Sequence, residues 1–145
     1  MSLDMYLTKK TYIVGSARDK LKITGLKSRV RIARVECIIE DIATWRKANA
    51  IHQWFVKNIQ EGDNDCKSYF VSIEQLKELF ELSKQVQKEP NKAPGLLPTQ
   101  GGFLFGSTEY DSRYFQSIDY TVKVLEAVLR EDEDQLQKYE YQSSW

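Results

Sequence analysis

Among the side chains able to do chemistry, His52 stands out as the only histidine in the chain. A general base of this type needs a cleft and a carboxylate partner, and a metal site would have to recruit Cys66, Asp63 or Asp65 beside it. The spacing from 52 to 66 matches no paired-ligand zinc pattern. The Asp-x-Asp start of Gly62-Asp63-Asn64-Asp65-Cys66 lacks the glycine and the distal glutamate of a calcium loop. No metal and no cofactor is therefore expected. The acids beside Cys66 argue against a nucleophile, and His52 reads as a partly buried ring making one hydrogen bond. The catalytic assignment stays unknown.

Two other groups could bind rather than react. Trp45, Arg46, Lys47 and Trp54 place aromatic rings beside cations, with Lys47 and Trp54 seven positions apart on one expected helix flank. Such a pairing can stack a base or hold an anionic ring. The competing and preferred reading has both tryptophans anchoring the helix on a sheet while Arg46 and Lys47 face water. The second group lies in Leu96–Asp111, LLPTQGGFLFGSTEYD. Gly106-Ser107-Thr108 ahead of a helix could offer N–H groups to an anion, but no P-loop lysine follows, and Glu109 and Asp111 crowd the place with negative charge. The plainer expectation is a buried strand, with Phe103 and Phe105 on one face, delivering the chain to a capped helix. Thr99, Gln100, Ser107, Thr108, Glu109 and Tyr110 could still line a hydrogen-bonding pocket.

These groups must be positioned by regular elements. Residues 3–14 alternate and are rich in β-formers, which predicts a strand closed by Gly15; the polar, basic stretch to about residue 28 reads as a loop or an irregular hairpin. Residues 29–45 fit both periods, and β-branched content favours a strand with a slip between Ile32 and Val35. Residues 45–60 predict an amphipathic helix, with Ala48, Ile51, Phe55 and Ile59 inward and Arg46, Asn49, Gln53, Lys57 and Gln60 outward. Ser72, Gln75, Val71 and Leu76 form a capping box with its hydrophobic staple, so a helix should run from Ile73 to about Lys88. Its stripe is Leu76, Leu79, Phe80, Ser83 and Val86. Asp111 caps a last helix with Phe115, Ile118, Val122, Leu125 and Leu129 inward. In the tail, Tyr139, Tyr141 and Trp145 should pack back, as an edge strand.

With 145 residues the chain is expected to form a single domain spanning residues 1–145. The formal net charge is zero, so no global field draws it to nucleic acid or membrane. The first 35 residues carry nine basic side chains against Asp4 and Asp19, and the run Glu131-Asp132-Glu133-Asp134 marks the acidic end. Solvated faces explain this better than a nucleic-acid site. Cys37 and Cys66 are too few for a disulfide framework and are read as reduced thiols. No signal-like or membrane-length apolar stretch is present, so the cytoplasm is expected by elimination.

The chain opens Met-Ser-Leu-Asp-Met-Tyr-Leu, passes through Trp45-Arg46-Lys47-Ala48-Asn49 and Ile51-His52-Gln53-Trp54-Phe55, and closes Tyr-Gln-Ser-Ser-Trp. With LLPTQGGFLFGSTEYD, these segments resemble a family of small uncharacterised proteins encoded by bacteriophages and prophages. The likeness is strongest over residues 45–115 and at both ends. Departures are Ser2 for Gly, Asp63-Asn64-Asp65-Cys66 where two adjacent acids are usual, Gly101 for Ser and Leu104 for an aromatic. The resemblance implies a setting inside an infected or lysogenic bacterium and no particular activity.

The resulting expectation is an α+β fold, a small mostly antiparallel sheet of the N-terminal strand, the 30s strand, the Gly102–Gly106 strand and the tail, packed against about three helices. Its function is expected to be a phage or prophage accessory protein, non-enzymatic, binding a host or phage protein or a small ligand. Nucleic acid ranks lower as a partner, no membrane is involved, and oligomeric state is left open. The alternative is a small enzyme or sequestering protein that takes a nucleotide-like ligand. Its pocket would lie between the helix bearing Trp45, Arg46, Lys47, His52 and Trp54 and the turn bearing Ser107, Thr108, Glu109 and Tyr110.

Overall fold

The computed structural model describes residues 1–15, 30–131 and 136–145. The expected loop from residue 16 to about 28 and most of the acidic run 131–134 lie outside these residues. The fold is α+β. Four strands, β1 (Asp4–Tyr12), β2 (Cys37–Arg46), β3 (Tyr69–Val71) and β4 (Gln137–Ser144), form one sheet in the order β2-β1-β4-β3, with every neighbouring pair antiparallel. The helices are α1 (Asn49–Asn58), α2 (Ile73–Lys88), a single turn α3 (Ala93–Leu96) and α4 (Ser112–Leu129). None among the described residues is long and apolar enough to cross a membrane.

Alternation along β1 decides the layering. Met5 and Leu7 are fully buried while Tyr6 between them is exposed, so one sheet face meets the helices and the other meets water. Lys9 also points to the covered face, where its Nζ lies 2.6 Å from Glu131 just past α4. On β4 the covered face carries Tyr139, Tyr141 and Ser143. Tyr141 stacks flat on Phe55 of α1, with ring centroids 3.8 Å apart, and this contact clamps the first helix to the middle of the sheet.

Several expectations are corrected. The strand read over 29–45 starts only at Cys37, and Ile32–Arg34 form a 3₁₀ turn where the slip was placed. The register shift falls instead between Leu7 and Thr8, opposite Ile42. The tail is an internal strand, not an edge, because burying two tyrosines stabilises a place between β1 and β3. The strand expected at Gly102–Gly106 is absent: Phe103 is 99% exposed while Phe105 is buried, so the two do not share a face. A turn closed by Phe105 N–H donating to Gly102 O takes its place, and a Cβ on Gly102 would sit 2.8 Å from the Phe105 ring. The fourth strand is β3, too short for its periodicity to show.

Helix α2 begins as its sequence dictates, with Ser72 Oγ accepting from Gln75 N–H and Gln75 Oε1 accepting from Ser72 N–H. Its buried residues are Leu76, Leu79, Ser83 and Val86, with Phe80 only partly covered. Asp111 caps α4 by accepting from Tyr114 N–H, but the buried stripe is Tyr114, Ile118, Thr121, Leu125 and Val128. That is the expected stripe turned by about one residue, because Tyr114 and Thr121 each find a buried partner and so go inward. Replacing Ser72 by Ala removes the cap of α2 and should lower stability by about 1 kcal/mol, read as a reduced urea midpoint at unchanged slope.

Candidate functional site

The chain leaves β2 through an irregular corner. Trp45 is buried and donates its indole N–H to Thr121 Oγ1 at 2.9 Å, which fastens the end of β2 to α4. Thr44 N–H on the outer edge of β2 donates to Tyr120 Oη at 3.1 Å, a second tie to the same helix. Lys47 then adopts φ +55°, while its N–H donates to Leu3 O. A non-glycine residue in this region costs roughly 1–2 kcal/mol, so packing must hold Lys47 there. Helix α1 therefore starts at Asn49 rather than near Trp45, and Trp45 and Arg46 are strand residues.

Asn49, expected on the outer face of the helix, is 3% exposed and holds the loop that follows α3. Its Nδ2 donates to Phe105 O (3.0 Å) and Ser107 O (2.8 Å), and its Oδ1 accepts from Gln100 N–H (3.0 Å). Three points of one loop thus converge on a single carboxamide. Further bonds close the loop on itself. Thr99 Oγ1 donates to Thr108 O, Thr99 N–H donates to Tyr110 Oη, and Glu109 N–H donates to Ser107 Oγ. Tyr114 donates its hydroxyl to Leu97 O, and burial holds this phenol protonated far above the usual range. Gly106, at φ +84°, lies against the Lys47 side chain; a Cβ there would approach Lys47 Cβ to 3.1 Å.

Between these walls lies a cleft of about 590 Å³, within the size range of small-molecule sites. One wall is the β2–α1 corner from Thr44 to Ala50, another is the Gly106–Asp111 turn, and the third is the exposed face of α4. Along that helix Arg113, Gln116, Ser117 and Tyr120 recur at i, i+3, i+4 and i+7, so they form one stripe. Cations come from Arg46, Lys47 and Arg113; acids come from Glu109 and Asp111, the latter occupied as the α4 cap. Arg46 is 3.1 Å from Ser2 Oγ and 3.7 Å from Asp4. The first turn of α1 carries no side-chain cap and no acid.

The cleft thus gathers Trp45, Arg46, Lys47, Thr99, Ser107 and Glu109 from the sequence-selected groups. The others lie elsewhere. Thr108 and Tyr110 brace the loop from behind through Thr99. Trp54 is 7% exposed and meets Phe55 edge-on in the core, so it does not share a flank with Lys47. His52 is fully buried and makes two hydrogen bonds instead of one, at 2.6 Å from Nδ1 to Tyr141 Oη and 2.9 Å from Nε2 to Asn64 Oδ1. Since Asn64 Oδ1 only accepts, Nε2 carries the hydrogen and Tyr141 donates to Nδ1. Both ring nitrogens are therefore spent on the fold. Among the described residues no group of three His, Cys, Asp or Glu side chains is placed to hold a metal ion.

Sequence reasoning missed Asn49, Arg113, Gln116 and Tyr120. The α4 residues carried a signal, since they are the polar complement of the buried stripe. Asn49 carried none, because a polar residue at a helix start ordinarily faces water. No family model, curated protein or solved structure matches the chain.

Asn49→Ala loses all three hydrogen bonds and should destabilise the protein by about 3 kcal/mol or more. Asn49→Asp keeps the acceptor for Gln100 but sets a buried carboxylate oxygen against the Phe105 and Ser107 carbonyls, so it should destabilise at least as much, both measured by urea unfolding. Burial depresses the His52 pKa, only partly offset by the bond to Asn64. The native ring therefore resists protonation where the unfolded one, with an ordinary value of about 6.5, accepts it. Stability should be fully present above that value and fall from pH 6.5 toward 5, with the His52 Cε1 resonance showing no protonation step near pH 6.5.

Proposed function

We propose that this is a non-enzymatic binding protein of bacteriophage or prophage origin, acting in the cytoplasm of a bacterial host, and that the cleft between the β2–α1 corner and α4 is its binding surface. The observation that carries the reading is the convergence on Asn49. A loop rich in glycine and polar groups is held rigidly against the strand end bearing Arg46 and Lys47, leaving charged groups around a concavity instead of packing them away. Preorganisation of this kind favours binding, because the ordering cost is met during folding. Groups that an enzyme would recruit are committed elsewhere, His52 to Tyr141 and Asn64, and Asp111 to the start of α4.

The occupant is a host or phage protein segment or a small ligand. Immobilised protein should enrich its partner from a bacterial lysate, with proteins and small molecules in the eluate both identified by mass spectrometry. The double variant Lys47→Glu/Arg113→Glu, folded by circular dichroism, should lose that enrichment by at least about tenfold, the scale of one charge-assisted contact. Equal enrichment on both proteins would remove the cleft from consideration.

A further inference from the structure

Resting on the cleft as the binding surface, we infer that its ligand is a nucleoside monophosphate. The inference starts from the distribution of chemistry along the walls. The Thr44–Tyr120 hydrogen bond marks one end, where β2 and α4 are tied together. From it the lining runs along β2 to Arg46 and Lys47, and back along α4 through Ser117 to Arg113. The stripe from Tyr120 to Arg113 covers seven residues of helix, roughly 10 Å at 1.5 Å per residue. One end thus offers an aromatic ring and the other a guanidinium, separated by about the reach from base to phosphate in a mononucleotide.

The cationic end is unsatisfied. The Lys47 and Arg113 side chains make no hydrogen bond or ion pair with any described residue, and Arg46 is engaged by Ser2 and, at 3.7 Å, by Asp4. A phosphomonoester carries nearly two negative charges and several strong acceptor oxygens, so it can engage an ammonium and a guanidinium at once. The stem of Lys47 runs along Gly106, where a side chain would crowd it, so the absence of one leaves room for the lysine beside the cleft. The uncapped first turn of α1 adds N–H donors on the same wall.

At the other end Tyr120 is 37% exposed and meets Trp45 edge-on, with its hydroxyl held by Thr44. A ring restrained at its polar tip keeps a defined apolar surface on which a base can stack, whatever its identity. Glu109 lines the cleft with no side-chain partner among the described residues, and a carboxylate is the natural acceptor for ribose hydroxyls. With Asp111 spent as a cap, Glu109 tells a ribose phosphate from a bare phosphate. The set therefore suits a molecule with a dianion, a hydroxylated middle and a flat ring.

The test is calorimetric titration of the whole protein at low salt with AMP, GMP, CMP and UMP, alongside the matching nucleosides, inorganic phosphate and a short single-stranded RNA. At least one mononucleotide should bind about tenfold or more tighter than its nucleoside and than inorganic phosphate, the separation expected from adding one charge-assisted site. Lys47→Ala and Arg113→Ala should each weaken that binding by a similar factor, while Lys84→Ala on the far helix α2 leaves it unchanged. Failure of all four mononucleotides to exceed their nucleosides and phosphate overturns the inference, as does tighter binding of the RNA. If that failure comes with lysate capture that still depends on Lys47 and Arg113, the nucleotide assignment falls and the cleft stands. Mononucleotide binding that survives both substitutions removes the cleft as well.

Discussion

The buried carboxamide of Asn49 is the contact on which the rest of the cleft depends. It offers two donors and one acceptor, and each meets a backbone group of the 100–107 segment at 3.0 Å or less. Because these partners are main-chain atoms, the link is insensitive to which side chains the loop carries. Because the Asn49 side chain is itself buried, losing a partner leaves one of its polar atoms unpaired, which costs more than the bond itself contributes. The loop has little regular structure of its own to resist unravelling. One helix-start residue converts it into a wall.

Around that link the molecule divides its labour. The sheet and the inner faces of α2 and α4 supply apolar burial, with Tyr141 and Phe55 at the centre. His52 belongs to this layer; its ring bridges β4 and the 59–65 turn, a polar strut within an aromatic cluster that includes Phe105 and Trp145. The cations of the cleft are kept on the corner and on the outer stripe of α4. Trp45 and Tyr120 belong to both layers, since each fixes β2 to α4 on one side and bounds the cleft on the other.

How far the fold could be read from the sequence follows from which interactions are local. The α2 start was legible because Ser72 and Gln75 satisfy each other within one turn, and the α4 start because Asp111 needs only its neighbour Tyr114. The α+β class followed from period counting. The Phe103–Phe105 segment was misread because an apolar run between glycines has no length to separate strand from turn, and the deciding bonds go to Leu3 and Asn49, far away in sequence. Asn49 was misplaced, and the second hydrogen bond of His52 missed, for a related reason. Helical patterning sends polar residues outward unless a distant partner is known; the partners of Asn49 lie 51 to 58 positions away and those of His52 lie 12 and 89 away. The meeting of the two sequence-selected groups in one cleft has the same origin, and could be posed from the sequence but not answered.

The place of β4 bears on how this fold is reached. The strand formed last in the order of synthesis lies between β1, formed first, and β3. Without it, β1 and β2 are a lone ribbon, β3 has no neighbour, and the ring that stacks on Phe55 is missing. A chain emerging from the ribosome can make α1, α2 and α4 early from local signals, but its sheet closes only when residues 137–144 arrive. Pairings this distant in sequence form more slowly than local ones. Until then only the β1–β2 ribbon is available to cover the apolar faces of the helices.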